Sequence, residues 1–324
     1  MLAPRHSLFF IAALLGCMAF LSGSSARVLP KVKRDNATCC AYKVTNRANA
    51  YYKYERITDF SAMTTMDQVY QSGWAISHGW QAGAANEYTG QAPIADENNV
   101  KLSRGRGLTL TVPGGQDPNA ATFSSAEITF PDVSLGGIFQ VEAQVSGVAG
   151  TVFGIFTMHG DPWDAPLGWK DEQDVEVLSS SIMKPSAYNS AGIQLTNFDP
   201  NTGEMEETVA PFPADPTTAP HKYEIDWFPT TCSGAVNAFR QTQYRYDGAL
   251  LNAPSRFSST HPSNFILNLW SNGDKSFSAG PPTSDVVVTI KKVTAYYDKP
   301  NKVDNGACIQ QAACTMATAC AVTI

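Results

Sequence analysis

The sequence predicts an all-β sandwich of two curved antiparallel sheets, one of which leaves a concave polar face open to an extended ligand. Three observations predict it. From about residue 100 onward, apolar and polar residues alternate over short segments; Gly, Pro, Asn and Asp separate those segments; and no window carries a convincing helical stripe, Met63 to Tyr70 being the stretch that could make a short helix. Sandwiches use roughly 200 to 250 residues as one unit, and the 324 residues show neither an internal repeat nor a Pro/Ser-rich linker.

Taken in chain order, Arg5 and His6 precede the apolar run Leu8 to Leu21 and small residues up to Ala26, the three regions of a secretory signal. The run is shorter than the ~20 apolar residues a membrane span needs. Residues 1–26 are therefore expected to leave the working protein, which would be secreted, extracellular or in a cell wall. Residues 27–34 end in the dibasic pair Lys33-Arg34, either a processing site that opens the mature chain near Asp35 or a charged linker; Asn36-Ala37-Thr38 is a glycosylation acceptor.

Once Cys17 is gone, Cys39, Cys40, Cys232, Cys308, Cys314 and Cys320 remain, an even set that suits three disulfides in an oxidising compartment. Neighbouring Cys39 and Cys40 need separate partners, which points to a staple between the mature N-terminus and the tail after Asp304. No spacing reads as a zinc site, and no cofactor is expected.

Leu108, Leu110 and Val112 alternate with Thr109 and Thr111. Phe139, Val141, Ala143 and Val145 alternate with Gln140, Glu142, Gln144 and Ser146, giving a strand one apolar and one wet face. The pattern recurs in Tyr223 to Trp227, Phe265 to Trp270 and Val286 to Ile290, and it changes phase near Lys291 and Lys292, as a bulge would cause. The stretch to about residue 60 and residues 301–324 read as coverings of this body. The nearly uncharged tail Cys308 to Ile324 lacks the polar spacer and long apolar end of a lipid-anchor signal, so a disulfide-tied terminus is expected.

The chemistry is concentrated in Glu172, Asp174 and Glu176. Positions two apart share one strand face, so three acids project side by side while Gln173, Val175 and Val177 turn the other way. Each charge raises the cost of ionising the next, so stability gives little reason for such a row. Glycosidic cleavage does: one carboxylate attacks the anomeric carbon and a protonated partner releases the leaving oxygen. The alpha carbons of Glu172 and Glu176 would lie about 13 Å apart at ~3.3 Å per residue, and inward-leaning side chains on a curved sheet can approach the ~5.5 Å of a retaining pair. Glu172 is read as nucleophile and Glu176 as general acid and later base. Asp174 would orient Glu172 and help to keep Glu176 protonated.

The run Glu172-x-Asp174-x-Glu176 resembles the signature of glycoside hydrolase family 16. Leu267-Asn268-Leu269-Trp270-Ser271-Asn272-Gly273-Asp274 and Gly280-Pro281-Pro282 look like segments of a secreted fungal branch of that family. The resemblance spans roughly residues 40 to 300 and implies a concanavalin A-like jelly roll, with residues 35–300 as the catalytic unit. It implies the same three catalytic roles. Gln173 departs from the aliphatic residue usual there, and a buried amide costs roughly 1 to 3 kcal/mol unless paired, so it needs a partner.

Aromatic faces make sugar platforms because the C–H face of a glucose ring is apolar. With Leu267 and Leu269 facing the core, Asn268 and Trp270 face the cleft. Trp163 and Trp169, in the Pro/Gly/Asp loop before the acids, either wall subsites or anchor that loop; Trp74, Trp80 and Trp227 read as core, and His159 is a weaker candidate. No Gly-x-Ser-x-Gly elbow is present. A net charge of −6 speaks against nucleic acid or an anionic membrane and allows a neutral polysaccharide. The expected protein is a monomeric retaining endo-β-glucan hydrolase acting on β-1,3 or mixed β-1,3/1,4 linkages. A cell-wall transglycosylase using the same residues and a non-catalytic glucan-binding protein are the alternatives.

Overall fold

The computed structural model describes residues 39–47, 50–159, 171–199, 201–228, 241–251, 257–300 and 318–324. The alternation along each segment places its apolar side chains between two large sheets. The first sheet runs, edge to edge, Met205–Ala210, Ile193–Phe198, Glu172–Leu178, Val152–His159, Ser263–Trp270, Thr122–Thr129 and Ala75–Ile76, all antiparallel, with Ala92–Ala95 added in parallel to Thr122–Thr129. The second runs Ala249–Leu250, Gln241–Tyr246, His221–Phe228, Gly137–Gln144, Val286–Tyr297, Gly107–Val112 and Val100–Ser103, with Tyr54–Asp59 also on Val286–Tyr297. This is a jelly-roll sandwich.

Val286–Tyr297 carries the bulge that the phase change predicts: its register against Gly137–Gln144 shifts between Ile290 and Lys292. The extra residue lets one strand serve two partners, Gly107–Val112 along its first half and Tyr54–Asp59 along its second. Gly107 sits at the change with φ 131°, where a Cβ would collide with the Ile290 carbonyl oxygen. Only glycine fits.

Aromatic rings from both sheets fill the centre. Phe139 of the second sheet stacks on Phe265 of the first at 4.6 Å, and Phe130 meets Trp74, Phe139, Phe265 and Tyr297 edge-on. The short helix is Met66–Gln71, and the Gln68 side-chain oxygen accepts from Thr65 N at its start. Trp74 and Trp227 are buried, but Trp80 is 56 % exposed, which corrects the core reading. Trp80 lies in the connection after Ala75–Ile76, where its carbonyl accepts from Ala95 N; that backbone pairing holds the segment on the sheet edge with the ring outward.

The outer face of the second sheet is covered by a small third sheet. Tyr42–Val44 pairs antiparallel with Ala50–Tyr52 and parallel with Cys320–Val322, and Cys39 is disulfide-bonded to Cys320 across 281 positions of sequence. The expected staple between N-terminal stretch and tail is thus present; Cys40 is disulfide-bonded as well. Cys232, Cys308 and Cys314 lie outside the described residues, as do the signal, dibasic and glycosylation segments. Val44, Ala50 and Tyr52 pack on Ile138 and Tyr296, the outward residues of the sheet below.

Under this cover the Arg47 guanidinium reaches Glu224, which also accepts from Gln140 Nε2 at 2.7 Å. Asp226 lies 3.5 Å from Arg47 Nε and 2.8 Å from Arg245 Nε. Burial pushes the Glu224 carboxyl up, but the Arg47 hydrogen bond, a hydrogen bond shared with Asp226, the Arg47 charge and the Gln140 bond together hold the group below its usual range. Asp226 goes the other way, raised well above the ordinary value by burial and then by the neighbouring Glu224.

Asp298, just after Val286–Tyr297, accepts from Lys53 N at 3.0 Å and is pushed up to about 7 by burial. Between the unfolded carboxylate value and about 7, the folded chain holds a proton that the unfolded chain has released, so stability falls as pH rises through that window. Asn mimics the protonated acid. Asp298→Asn is therefore expected to match wild type near pH 4 and to exceed it above pH 7, by on the order of 2 to 4 kcal/mol at most. Urea unfolding at both pH values checks this; an equal offset at the two would contradict it.

Candidate active site

Strand Glu172–Leu178 runs between Val152–His159 and Ile193–Phe198 in the first sheet. Val175 and Val177 enter the core at 1 % and 2 % exposure, which turns Glu172, Asp174 and Glu176 to the outer face. Glu172 and Glu176 are partly exposed, and Asp174 between them is buried. The strand register arranges the rest of that face in rows. Glu176 lies level with Gly154, Asn268 and Glu127 on one side and with Gln194 and Val209 on the other. Asp174 lies level with Phe156 and Ile266, and with Thr196 and Glu207; Glu172 lies opposite Met158.

Gly154 makes room in the first row. A Cβ there would collide with Asn268 Oδ1, so the carboxamide extends over the glycine towards the Glu176 strand. Asn268 Nδ2 donates to Ala82 O at 2.8 Å, while its buried Oδ1 has no hydrogen-bond partner among the described residues. Glu127 is 6 % exposed and accepts from Ser77 Oγ at 2.7 Å; burial raises its carboxyl, moderated by the Ser77 and Asn268 bonds. Burial also raises Glu207.

Asn268 and Trp270 share the outer face, as alternation dictates, but the Trp270 ring is not an open platform. It is 3 % exposed, covered by Gly83 and stacked on Phe277 at 5.9 Å. The connection after Ala75–Ile76 folds over this end of the sheet, which strand periodicity cannot reveal. Trp163 and Trp169 lie outside the described residues. His159 turns away from the acid row: its Nδ1 donates to Pro262 O at 2.7 Å, and its ring lies 5.2 Å from that of His261. Sequence reasoning missed Glu127, Gln194, Thr196 and Glu207. Their own alternation assigns them a face, and only the strand order shows that it is this one.

The required partner for Gln173 exists. Its Nε2 donates to Thr157 Oγ1 at 2.8 Å, and its Oε1 accepts from Thr242 Oγ1. Among the described residues no His/Cys/Asp/Glu group could hold a metal ion, and no helix is long and apolar enough to cross a membrane.

Carboxyl groups in line on one outer face of a jelly roll are the arrangement that glycosidic cleavage calls for. Residues 87–291, more than half of the chain, match Glycosyl hydrolases family 16. The chain belongs to that family and is a glycoside hydrolase-type enzyme. Among solved structures it is similar to a prokaryotic β-1,3-1,4-glucanase (lichenase) derived from a mouse hindgut metagenome, with TM-score 0.56 and 19 % identity over 74 % of this chain and 98 % of that one. A Bacillus licheniformis β-glucanase gives 0.56 and 18 % over 74 % and 97 %, and apo Crh5 transglycosylase gives 0.51 and 19 % over 84 % and 95 %. At these identities the likeness is one of fold. No curated protein matches the sequence.

Proposed function

We propose that this chain is a retaining endo-β-glucan hydrolase of cell-wall polysaccharide, cleaving β-1,3 or mixed β-1,3/1,4 linkages through a covalent glycosyl-enzyme intermediate. The observation that carries the reading is the single outer face shared by Glu172, Asp174 and Glu176 in the middle of a sheet lined by further polar side chains. Glu172 attacks the anomeric carbon as Glu176 gives its proton to the leaving oxygen. The deprotonated Glu176 then draws a proton from water, which attacks the same carbon and frees Glu172. Asp174, confined between them, orients Glu172 and disfavours a second full charge on Glu176.

Secretion belongs to this proposal. The Cys39–Cys320 disulfide supports it, since such bonds persist in oxidising compartments. Transfer to a sugar hydroxyl in place of water is the second reading, favoured by the likeness to Crh5 transglycosylase over the larger share of this chain. Incubation with laminarin, lichenan and chitin oligomers tests both, with Glu172→Gln as control. Reducing sugar released by wild type alone supports hydrolysis, and longer products without net release support transfer. Sugar binding without turnover would overturn the enzymatic reading and leave the glucan-binding alternative.

A further inference from the structure

The two residues that flank Glu172 in sequence turn away from the acid face: Gln173 ends in buried hydrogen bonds, and the buried Asp171 carboxylate accepts part-buried ones from a segment about 90 residues on. Gln173 is fully buried and joins Thr157 on the adjacent strand to Thr242 on the opposite sheet. Thr242 Oγ1 also lies 3.0 Å from Ser258 Oγ. Asp171, 1 % exposed, accepts through Oδ2 from Thr260 N at 3.0 Å, His261 N at 2.9 Å and His261 Nδ1 at 2.7 Å.

Both sets of bonds converge on residues 257–261, and that segment is itself held throughout. Phe257 O accepts from Asn197 Nδ2 at 3.0 Å, and Ser259 O accepts from Trp227 Nε1 at 2.9 Å. Trp227 belongs to the second sheet and Asn197 to the strand beside the acids, so the segment is a strap fixed to both layers. A side chain on a strand leaves along a direction set by its own backbone. Locking positions 171 and 173 on the inner side therefore fixes where the Glu172 carboxylate starts from on the outer side.

We propose that Gln173, acting through Thr242 and seconded by the Asp171 contacts to the strap, is a positioning residue for the Glu172 carboxylate. This rests on Glu172 being the nucleophile. An aliphatic residue at 173 would fill the same space and leave the strand free to shift or tilt by fractions of an ångström against the second sheet; Gln173 ties it at one point. Neither Gln173 nor Thr242 touches substrate, so their removal acts on the attack and not on sugar binding.

The test uses the full chain and an activated aryl β-glucoside oligomer whose aglycone release reports the attack by Glu172. Gln173→Leu keeps the shape and removes both bonds; Thr242→Val removes the far end without touching the carboxylate strand. Each is expected to slow the first burst of aglycone about tenfold or more, with the substrate dissociation constant, read from the concentration dependence of the burst rate, within about twofold of wild type, and the double variant to be no slower than the slower single. Thr242→Val carries the test alone if Gln173→Leu does not fold. A burst rate within about twofold of wild type in a folded variant, a loss confined to the substrate dissociation constant, or single defects that multiply in the double would each overturn the proposal. If wild type and Glu172→Gln are equally slow, the reading of Glu172 has failed instead, so the two failures are distinguishable.

Discussion

Glu172→Gln is expected to lower turnover on the preferred β-glucan by about 10³-fold or more, which corresponds to at least ~4 kcal/mol of transition-state stabilisation. The amide has nearly the shape of the acid, so the face around it keeps its form and polysaccharide binding should persist while chemistry stops. Glu176→Gln should look similar on polysaccharide and different on a dinitrophenyl glycoside. That leaving group departs without a proton, so the first step no longer needs an acid, and only the later release through water remains slow. A burst of dinitrophenol followed by slow turnover in Glu176→Gln, and no burst in Glu172→Gln, is the expected pair of results. The reverse pattern would exchange the two roles, and full activity in both would remove the acid row from the chemistry.

Arg47→Leu is expected to be the most damaging single change outside the cleft. It leaves Glu224, 1 % exposed, facing Asp226 with one cation fewer between them. Removing one partner of a buried ion pair costs roughly 3 to 5 kcal/mol, because the remaining charge stays desolvated. In a protein of this size each kcal/mol moves Tm by about 2 to 4 °C, so thermal unfolding should show a fall on the order of 10 °C. Adding Glu224→Gln to Arg47→Leu should recover part of that loss, since the stranded charge disappears with it. A fall under about 2 °C, or a double variant weaker than the single, would show that Arg47 does not balance these acids.

What was legible in the sequence is what period and spacing encode. Alternation placed Leu108, Phe139, Tyr223 and Val286 inside, and the phase change at Lys291 located a bulge whose purpose, serving two partner strands, appears only with the pairing. The row of acids followed from positions two apart on one strand. What failed depends on segments without a period. Trp80 and Trp270 were misjudged for one reason: the connection after Ala75–Ile76 folds along the sheet edge, exposing the first ring and covering the second. Gln173 advertised its need for a partner, but Thr242 lies 69 residues away on the other sheet, a distance no local pattern bridges. An even set of cysteines likewise foretold a staple from the mature N-terminus to the tail without saying that it would join Cys39 to Cys320.

The parallel pairing of Tyr42–Val44 with Cys320–Val322 lies on the outer face of the second sheet, while the carboxylates open from the outer face of the first. A bead or film grafted to the chain near either of those strands would therefore sit behind the molecule. Immobilised in that way, the protein would turn its acid face to the surrounding liquid, where the proposed polymeric substrate could reach it without passing beneath the molecule.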